Sequence, residues 1–569
     1  MADPSEILSL AKRRGFLWPA YDIYGGVAGL YDYGPLGAEM KRNIEEYWRY
    51  LYVRQEGFLE IYSPILNPKE VFEASGHLKE FTDLVIQCSK CGLSYRADHL
   101  AEGLHEHPST LKRDDLWKLL QDNDVKCPEC KGDLTEPVTF NLMFKTGIGA
   151  GAAGRDGYMR PETAQGMFVN FSTIYRLGRE KLPVGAVQIG KSLRNEISPR
   201  QGVLRLREFN MMEAELFVHP DKKIWPKFNS IKDEMLVLLP NGAEREIEMS
   251  VGNAVKTGTI LNEVLAYYIW LTWKFLVDIG IDGKKMRFRQ HAGTEMAHYA
   301  TDCWDCEVQL GYGWVELVGV ADRGCYDVSA HLRLSNADLT AFERFDEPRE
   351  MEMDRVKPVH AKLGPIFKEK ATAIAKALSE QSPETVPSDG GDLQLMIEEE
   401  RIIVPKDCYE IVRIRERVSG VKVVPHVIEP SYGLDRILYA LLDHSYKKEA
   451  DYTKLSLTGR IAPIKLGIFP LVSKDGLDDI AMKIFTELSG AGISCHYDDA
   501  GSIGRRYARM DEIGTPCCIT VDYDTLKDRS VTLRDRDTAK QIRISMDKIA
   551  DIASMIAENM SFEEVSKQP

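Results

Sequence analysis

The sequence predicts an α+β protein: a large domain built on an antiparallel sheet and broken by two insertions, followed by a smaller α/β domain. Three observations carry that expectation. The chain has 569 residues, more than one hydrophobic core usually serves. Residues 187–217 hold two extended runs around a polar loop, the pattern of a long-loop antiparallel hairpin. Near residue 460 the pattern changes. From IAPIKLGIFPLV onward, short strand and helix units alternate, which reads as a separate domain.

The elements follow in chain order. The opening MADPSEILSLAKRRGF has no uninterrupted apolar stretch behind its basic residues and does not read as a secretory leader. GAEMKRNIEEYWRYLYVRQ has a helical pattern, and FLEIYSPIL after it is an extended run. Residues 77–158 read as a first insertion, with two cysteine pairs, polar helices and a glycine-rich loop. Residues 159–217 alternate helix and strand patterns. The long apolar stretch 260–281 contains Asn262, Glu263, Lys274 and Asp278, too many polar groups for a membrane span, so a buried or amphipathic helix is expected. Residues 335–415 are richly charged and contain SPETVPSDGGD, the composition of a flexible loop in a second insertion. Residues 1–460 thus form one domain and 461–569 another. A cytoplasmic setting without a membrane partner is expected. The net charge of −14 gives a whole-molecule field that does not attract nucleic acid, so any RNA must be held by local basic surface and shape, which residue counts do not locate.

Side chains in an extended run alternate faces. Arg194 and Glu196 therefore share a face of the first run, and Arg205, Arg207, Phe209, Met211 and Glu213 share a face of the second. The opposite face carries Leu204 and Leu206, then turns polar at Glu208 and Asn210. Packing alone does not specify polar groups on both faces. Arg436 is a second anomaly. It lies in the first turn of the helix pattern GLDRILYALL, where the helix dipole disfavours a cation. An anion bound at that end would remove the conflict.

Cys88, Cys91, Cys127 and Cys130 form a CxxC…CxxC set with 35 residues between the pairs. Paired knuckles of this kind suit a tetrahedral structural Zn2+ with no open position. Cys303 and Cys306 have no second pair and read as core thiols, and His105 and His107 read as surface histidines. GAGAAG at 149–154 matches a dinucleotide-binding pattern, but RDGYMRPE follows it. Pro161 stands where a helix should continue, so no such site is expected.

Taken together these phrases carry a resemblance. RNE, a loop and RxREF resemble the second signature motif of class II aminoacyl-tRNA synthetases. GLDRILYALL after VIEP resembles the third, and the helix-then-strand at 37–66 with Pro64 resembles the first, which builds the dimer interface in that family. RPETAQG (160–166), RNEISPR (194–200), GWVELVG (313–319), EPSYGLDR (429–436) and GSIGRRYARMDEIG (501–514) are similar to the glycyl members, and the likeness spans nearly the whole chain.

The resemblance implies a class II catalytic domain followed by an anticodon-binding domain. It implies a homodimer that activates glycine with ATP and Mg2+ and transfers it to tRNA(Gly). Arg194, Glu196 and Arg436 would be catalytic. ATP would be met by Arg194, Asn195, Glu196, Leu204, Arg205, Leu206, Arg207, Glu208, Phe209, Glu316, Leu317, Gly433, Leu434, Asp435 and Arg436. Glycine would be met by Arg96, Glu162, Phe209, Glu213, Glu429, Ser431 and Gly433. Within these sets Arg194 would meet the α-phosphate and the glycine carboxylate. Glu196 would contact the adenine amino group, Phe209 would stack on adenine, and Arg205 and Arg436 would grip the outer phosphates. Glu316 would sit at the ATP and metal site. The chemistry suits such a set. An in-line attack of a carboxylate on phosphorus needs positioned cations and no nucleophile from the enzyme. Clustered glutamates raise one another's pKa unless a cation enters, and the substrate ammonium is the cation expected. In the last domain Arg505, Arg506 and Arg509 follow Gly504, but the local charge is too balanced to assign RNA contacts.

Overall fold

The computed structural model describes residues 3–105, 108–151, 154–199, 202–292, 300–381, 383–387, 391–397, 400–449 and 452–567. His107, Arg200 of RNEISPR, Ala152 and Ala153 of GAGAAG, and Ser382 and 388–390 of SPETVPSDGGD lie outside the described residues.

Nine strands build the main sheet: β1 (Leu59–Glu60), β2 (Val184–Leu193), β3 (Glu208–Val218), β4 (Met235–Leu239), β5 (Ile247–Ser250), β6 (Met286–Gln290), β7 (Asp302–Leu310), β8 (Gly313–Gly324) and β9 (His426–Gly433). Their order is β5-β4-β6-β7-β8-β9-β3-β2-β1. The pairings from β6 through to β2 are antiparallel, while β4 on β6 and β1 on β2 are parallel. Alternation assigns the faces. Met212, Ala214, Leu216 and Val218 of β3 enter the main core with Trp304, Cys306, Val318 and Val320. Glu213 and Glu215 therefore point to the other face, and Phe217 joins a second cluster with Phe168 and Phe171.

Three helices cover the core side: α1 (Pro35–Arg49), α2 (Glu263–Ile279) and α3 (Leu434–Ser445). The apolar stretch expected to be helical is α2. Asn262 caps it by accepting from Leu265 N, and Gly280, at φ 115°, ends it. Its polar residues are paired: Glu263 accepts from Trp225 N, and Asp278 from Lys274. Among the described residues no helix is long and apolar enough to cross a membrane.

The hairpin differs from the sequence reading in one respect. β2 stops at Leu193 and β3 starts at Glu208, so Arg194, Glu196, Arg205 and Arg207 lie in the connection rather than on strands. A short 3-10 turn at Gly202–Leu204 interrupts the second run, with Gly202 at φ 55°. Alternation holds for Phe209, Met211 and Glu213, which face Ser192, Gly190 and Gln188 across the ladder. It fails for Arg207, whose guanidinium donates to the carbonyls of Glu196 and Ala28.

Two excursions leave this frame. In the first, strands Thr82–Gln87, Ser94–Arg96 and Val138–Asn141 form a small sheet over its own cluster of Ile86, Ala97, Leu116 and Leu120. In the second, a long ribbon of Ala341–Pro358 and Tyr409–Val423 carries two helices and a hairpin around Ile374, Leu378, Leu395 and Val404. The C-terminal sheet pairs β10 (Leu466–Pro470), β11 (Cys495–Tyr497), β12 (Cys517–Val521), β13 (Ser530–Asp535) and β14 (Gln541–Ser545) in the order β11-β10-β12-β13-β14. Leu466, Ile468, Ile519 and Val531 make its own core, whereas Phe469, Met510, Ile513 and Cys518 join the main one.

Candidate active site

A cavity of about 360 Å3 opens over β3 and β9 beside the loop that joins β2 to β3. Arg194, Glu196, Leu204, Arg205 and Leu206 line it from the loop, and Phe209 from β3. β8 contributes Glu316 and Leu317, and the β9–α3 junction contributes Ser431, Gly433, Asp435 and Arg436. Arg96 reaches it from the first insertion.

The cations are held in three different ways. The Arg194 guanidinium lies between two rings, 5.2 Å from the centre of Phe209 and 5.4 Å from that of Phe81, and its Nε donates to Pro161 O at 3.2 Å. Arg436 donates through Nε to Leu204 O at 3.0 Å and through Nη1 to the carbonyl and carboxylate of Glu316 at 2.9 and 3.1 Å. Glu316 is exposed on the cleft wall; crowding by the surrounding protein works against its charge, but Arg436 and then Arg194 hold its carboxyl below the ordinary range. Arg96 bridges Asp83 at 2.9 Å and Asp98 at 2.7 Å.

Other expected ATP residues also make contacts that hold the frame. Asn195 donates its backbone N–H to Leu142 O, and Glu208 pairs outward with Lys191. Leu434 is fully buried in the main core. Asp435 accepts from Asn210 N and Nδ2 and from Tyr33, tying the start of α3 to β3. Burial raises its pKa in spite of those bonds.

Beside the cavity lies a buried cluster of carboxylates. Glu213 accepts from Ser431 Oγ at 2.7 Å and from the backbone and hydroxyl of Thr163. Glu162 accepts from Gln165 at 2.8 Å and lies 3.6 Å from His77 Nε2. Glu429 stands next to them on β9, opposite Glu215 across the β3 ladder. The sequence reading left compensation of this charge to the ligand ammonium. The structure corrects that: Arg323, 1% exposed, donates to both oxygens of Glu429 at 2.9 Å and to both oxygens of Asp327, and sits 3.7 Å from Glu162. A resident guanidinium already offsets part of the negative charge. Its signal was present in GVADRG: an arginine ending an apolar strand, with Asp327 four residues on.

In the first insertion all four cysteine sulfurs lie within 4.8 Å of one another. Cys88 Sγ and Cys130 Sγ are 3.5 Å apart, and Cys91 Sγ and Cys127 Sγ are 3.6 Å apart. The backbone N–H groups of Lys90 and Cys91 point at Cys88 Sγ. A Cβ on Gly132 would meet Cys88 Sγ at 3.1 Å and Cys130 Sγ at 3.3 Å, so only glycine leaves the sulfurs their room. The other cysteine pair splits across β7. Cys306 enters the core, whereas Cys303 faces the opposite way, near His291 and Asp305, which hydrogen-bond each other at 2.7 Å. Cys303 is therefore not the core thiol expected. His105 is exposed.

Arginines and a glutamate set around a cleft on an antiparallel sheet define the class of the protein. Residues 151–305 match the family described as "tRNA synthetase class II core domain (G, H, P, S and T)", and residues 465–555 match "Anticodon binding domain". Three glycine–tRNA ligases are similar over nearly their full length. That of Methanothrix thermoacetophila is 49% identical over 96% of each chain. That of Methanocaldococcus jannaschii is 48% identical over 96% of this chain and 97% of its own, and that of Archaeoglobus fulgidus 45% identical over 98% and 97%. A solved prolyl-tRNA synthetase from Cryptosporidium parvum, complexed with L-proline and AMP, aligns with a TM-score of 0.47 and 12% identity over 97% of this chain and 75% of that one. The chain belongs to the glycine–tRNA ligase family.

Proposed function

We propose that the cavity binds ATP, that the adjoining carboxylate cluster binds the ammonium of glycine, and that the two are joined there as glycyl-adenylate. The observation that carries this reading is continuity. Ser431 lines the cavity and donates to Glu213, so the two pockets share a wall. The glycine carboxylate attacks the α-phosphorus of ATP, forming a carboxyl–phosphoryl bond as pyrophosphate leaves. The terminal ribose hydroxyl of tRNA(Gly) then attacks the carbonyl, and AMP leaves. Arg194 neutralises the α-phosphate and the incoming carboxylate, and Arg205 and Arg436 hold the outer phosphates. Phe209 and Glu196 take the adenine. Glu316, kept ionised by its arginines, is the residue that would hold the Mg2+ travelling with ATP. Arg96 lines the same wall, but its two aspartates already claim it, which favours a structural hold on the insertion over direct contact with glycine.

Residues 1–460 are read as the catalytic domain, with insertions at 77–158 and 335–415, and 461–569 as the anticodon-binding domain. The four-sulfur cluster is read as a structural Zn2+ site. The protein is read as a cytoplasmic homodimer, with Tyr50 and Tyr62, exposed beside α1 and β1, available to a second copy. Amino-acid-dependent ATP–pyrophosphate exchange, run in parallel with the twenty amino acids, tests the central reading. Exchange is expected with glycine alone. Equal exchange with alanine or serine contradicts the pocket, and none with any amino acid contradicts the activity.

A further inference from the structure

We propose that Phe81, at the root of the first insertion, is a positioning residue for adenylate formation, acting through Arg194. The proposal rests on the reading of Arg194 as the α-phosphate contact. Arg194 follows the end of β2, and its side chain has four freely turning bonds. Among the described residues no salt bridge fixes it. One hydrogen bond, from Nε to Pro161 O at 3.2 Å, tethers it from one side, and the guanidinium also packs over two rings, Phe209 from the sheet and Phe81 from the insertion, at 5.2 and 5.4 Å. A cation between two aromatic faces is attracted to both, and a planar guanidinium suits such a slot better than an ammonium does. The slot keeps Arg194 pointed before the anions arrive, so that less freedom is lost in reaching the transition state.

Phe81 is itself fixed. It ends the helical turn His77–Glu80, its N–H donates to His77 O at 3.2 Å, and its carbonyl accepts from Leu142 N at 3.1 Å. The carbonyl of Leu142 in turn accepts from Asn195 N at 2.8 Å, which stitches the insertion to the residue after Arg194. The Phe81 ring packs edge-on against His77 at 5.7 Å, and His77 lies 3.6 Å from Glu162. One turn of the insertion thus touches the carboxylate cluster with His77 and the ATP cavity with Phe81. A ring at that junction carries no proton and no charge, so its contribution is to hold Arg194.

The test is a double-mutant cycle on glycine-dependent adenylate formation, measured in single turnovers. Phe81→Ala is expected to slow the step on the order of tenfold, the scale of one desolvated cation–aromatic contact, with the half-saturating glycine concentration within about twofold of the parent. Phe81→Leu, which keeps bulk without a π face, is expected to lose nearly as much, and Phe81→Tyr to recover the parent rate. In an Arg194→Ala background, Phe81→Ala is expected to cost less than about twofold. Full activity in Phe81→Leu, or the same tenfold loss without Arg194, overturns the proposal. Unchanged activity in Arg194→Ala alone instead overturns the reading of Arg194, a separate result. Thermal midpoints and metal content of each variant show whether the insertion stays folded. Because Phe81→Leu keeps most of the side chain's volume, the same cycle run with Phe81→Leu, alone and in the Arg194→Ala background, decides the matter even if Phe81→Ala unfolds the insertion.

Discussion

Glu162 and Glu429 belong to one buried cluster and are driven in opposite directions. Burial raises both. For Glu162, His77 and Arg323 outweigh it and pull the carboxyl well below the ordinary range. For Glu429, burial together with Glu213 and Glu162 outweighs Arg323 and pushes the pKa up to about 7. Glu215 is extreme: fully buried, with neither oxygen hydrogen-bonded among the described residues, it is driven far up by burial and by Glu429. A pH dependence follows for the glycine pocket. Below about pH 7 Glu429 holds a proton that an arriving ammonium must displace, and above it the carboxylate is already formed. Affinity for glycine is therefore expected to rise as pH rises through 7 and then level off, with proton release on binding below 7. Calorimetry in buffers of differing ionisation enthalpy measures that proton. Glu429→Gln should abolish the release, and an affinity that falls over the same range contradicts the assignment. Glu213, which accepts from Ser431 and Thr163 on the shared wall, gives a sharper division of labour. Glu213→Ala is expected to raise the half-saturating glycine concentration by about 10- to 100-fold, the worth of a charge-assisted contact, and that for ATP by far less. Equal losses for both substrates would place the residue outside the glycine pocket.

At the scale of elements, legibility in the sequence tracked how local the determining force is. Strand alternation is local, so Phe209, Met211 and Glu213 were assignable to one face from spacing alone. The same rule misled at Arg205 and Arg207, because a 3-10 turn, the carbonyl of Glu196 in the same connection and the distant carbonyl of Ala28 claim that stretch. Arg323 and Phe81 were not found. Each acts across more than a hundred residues of sequence, on Glu429 and Arg194 respectively, and periodicity carries no such signal. The grouping of the four cysteines was legible because CxxC spacing is local, and the structure brings their sulfurs within 4.8 Å of one another. They also bear on the site. The strands on either side of Cys88 and Cys91 are those that deliver Asp83 and Arg96 to the cavity wall. Metal analysis of the purified protein is expected to return about one Zn2+ per chain. Cys88→Ser should lose it and weaken ATP binding, read directly by titration, whereas Cys303→Ser should keep it. Loss of zinc from Cys303→Ser alone would move the metal to β7.

At the scale of the whole molecule, a chain of net charge −14 has to engage RNA, and the arginines that stand together in the last domain are largely committed to its fold. Arg506 is buried against the carbonyls of Pro470 and Gly501, Arg509 pairs with Asp498, and only Arg505 of the three is exposed. Charging of tRNA is therefore expected to depend on holding the C-terminal unit at a fixed place relative to the cavity, which the substitution below tests. The contacts suit that task. Phe469, Met510 and Ile513 complete the main core, Asn43 donates to Ala462 O, and Asn559 donates to Asp278 O at the end of α2. Arg13 and Arg14 both pair with Glu512. At the junction Gly459 lies so close to the last long helix, Ile549–Ala557, that a Cβ there would stand 1.8 Å from Ile556 O. That atom is backbone and cannot swing aside. Gly459→Ala must therefore displace the helix and loosen the docking, at a cost of about 1–3 kcal/mol if the shift is small. Thermal unfolding is expected to begin several degrees earlier, and to split in two if the units part. Glycine-dependent pyrophosphate exchange, a property of the cavity, should survive at moderate temperature while charging of tRNA falls. A thermal midpoint and a charging rate both equal to the parent's would show that the junction tolerates the shift, and that RNA recognition does not depend on this placement.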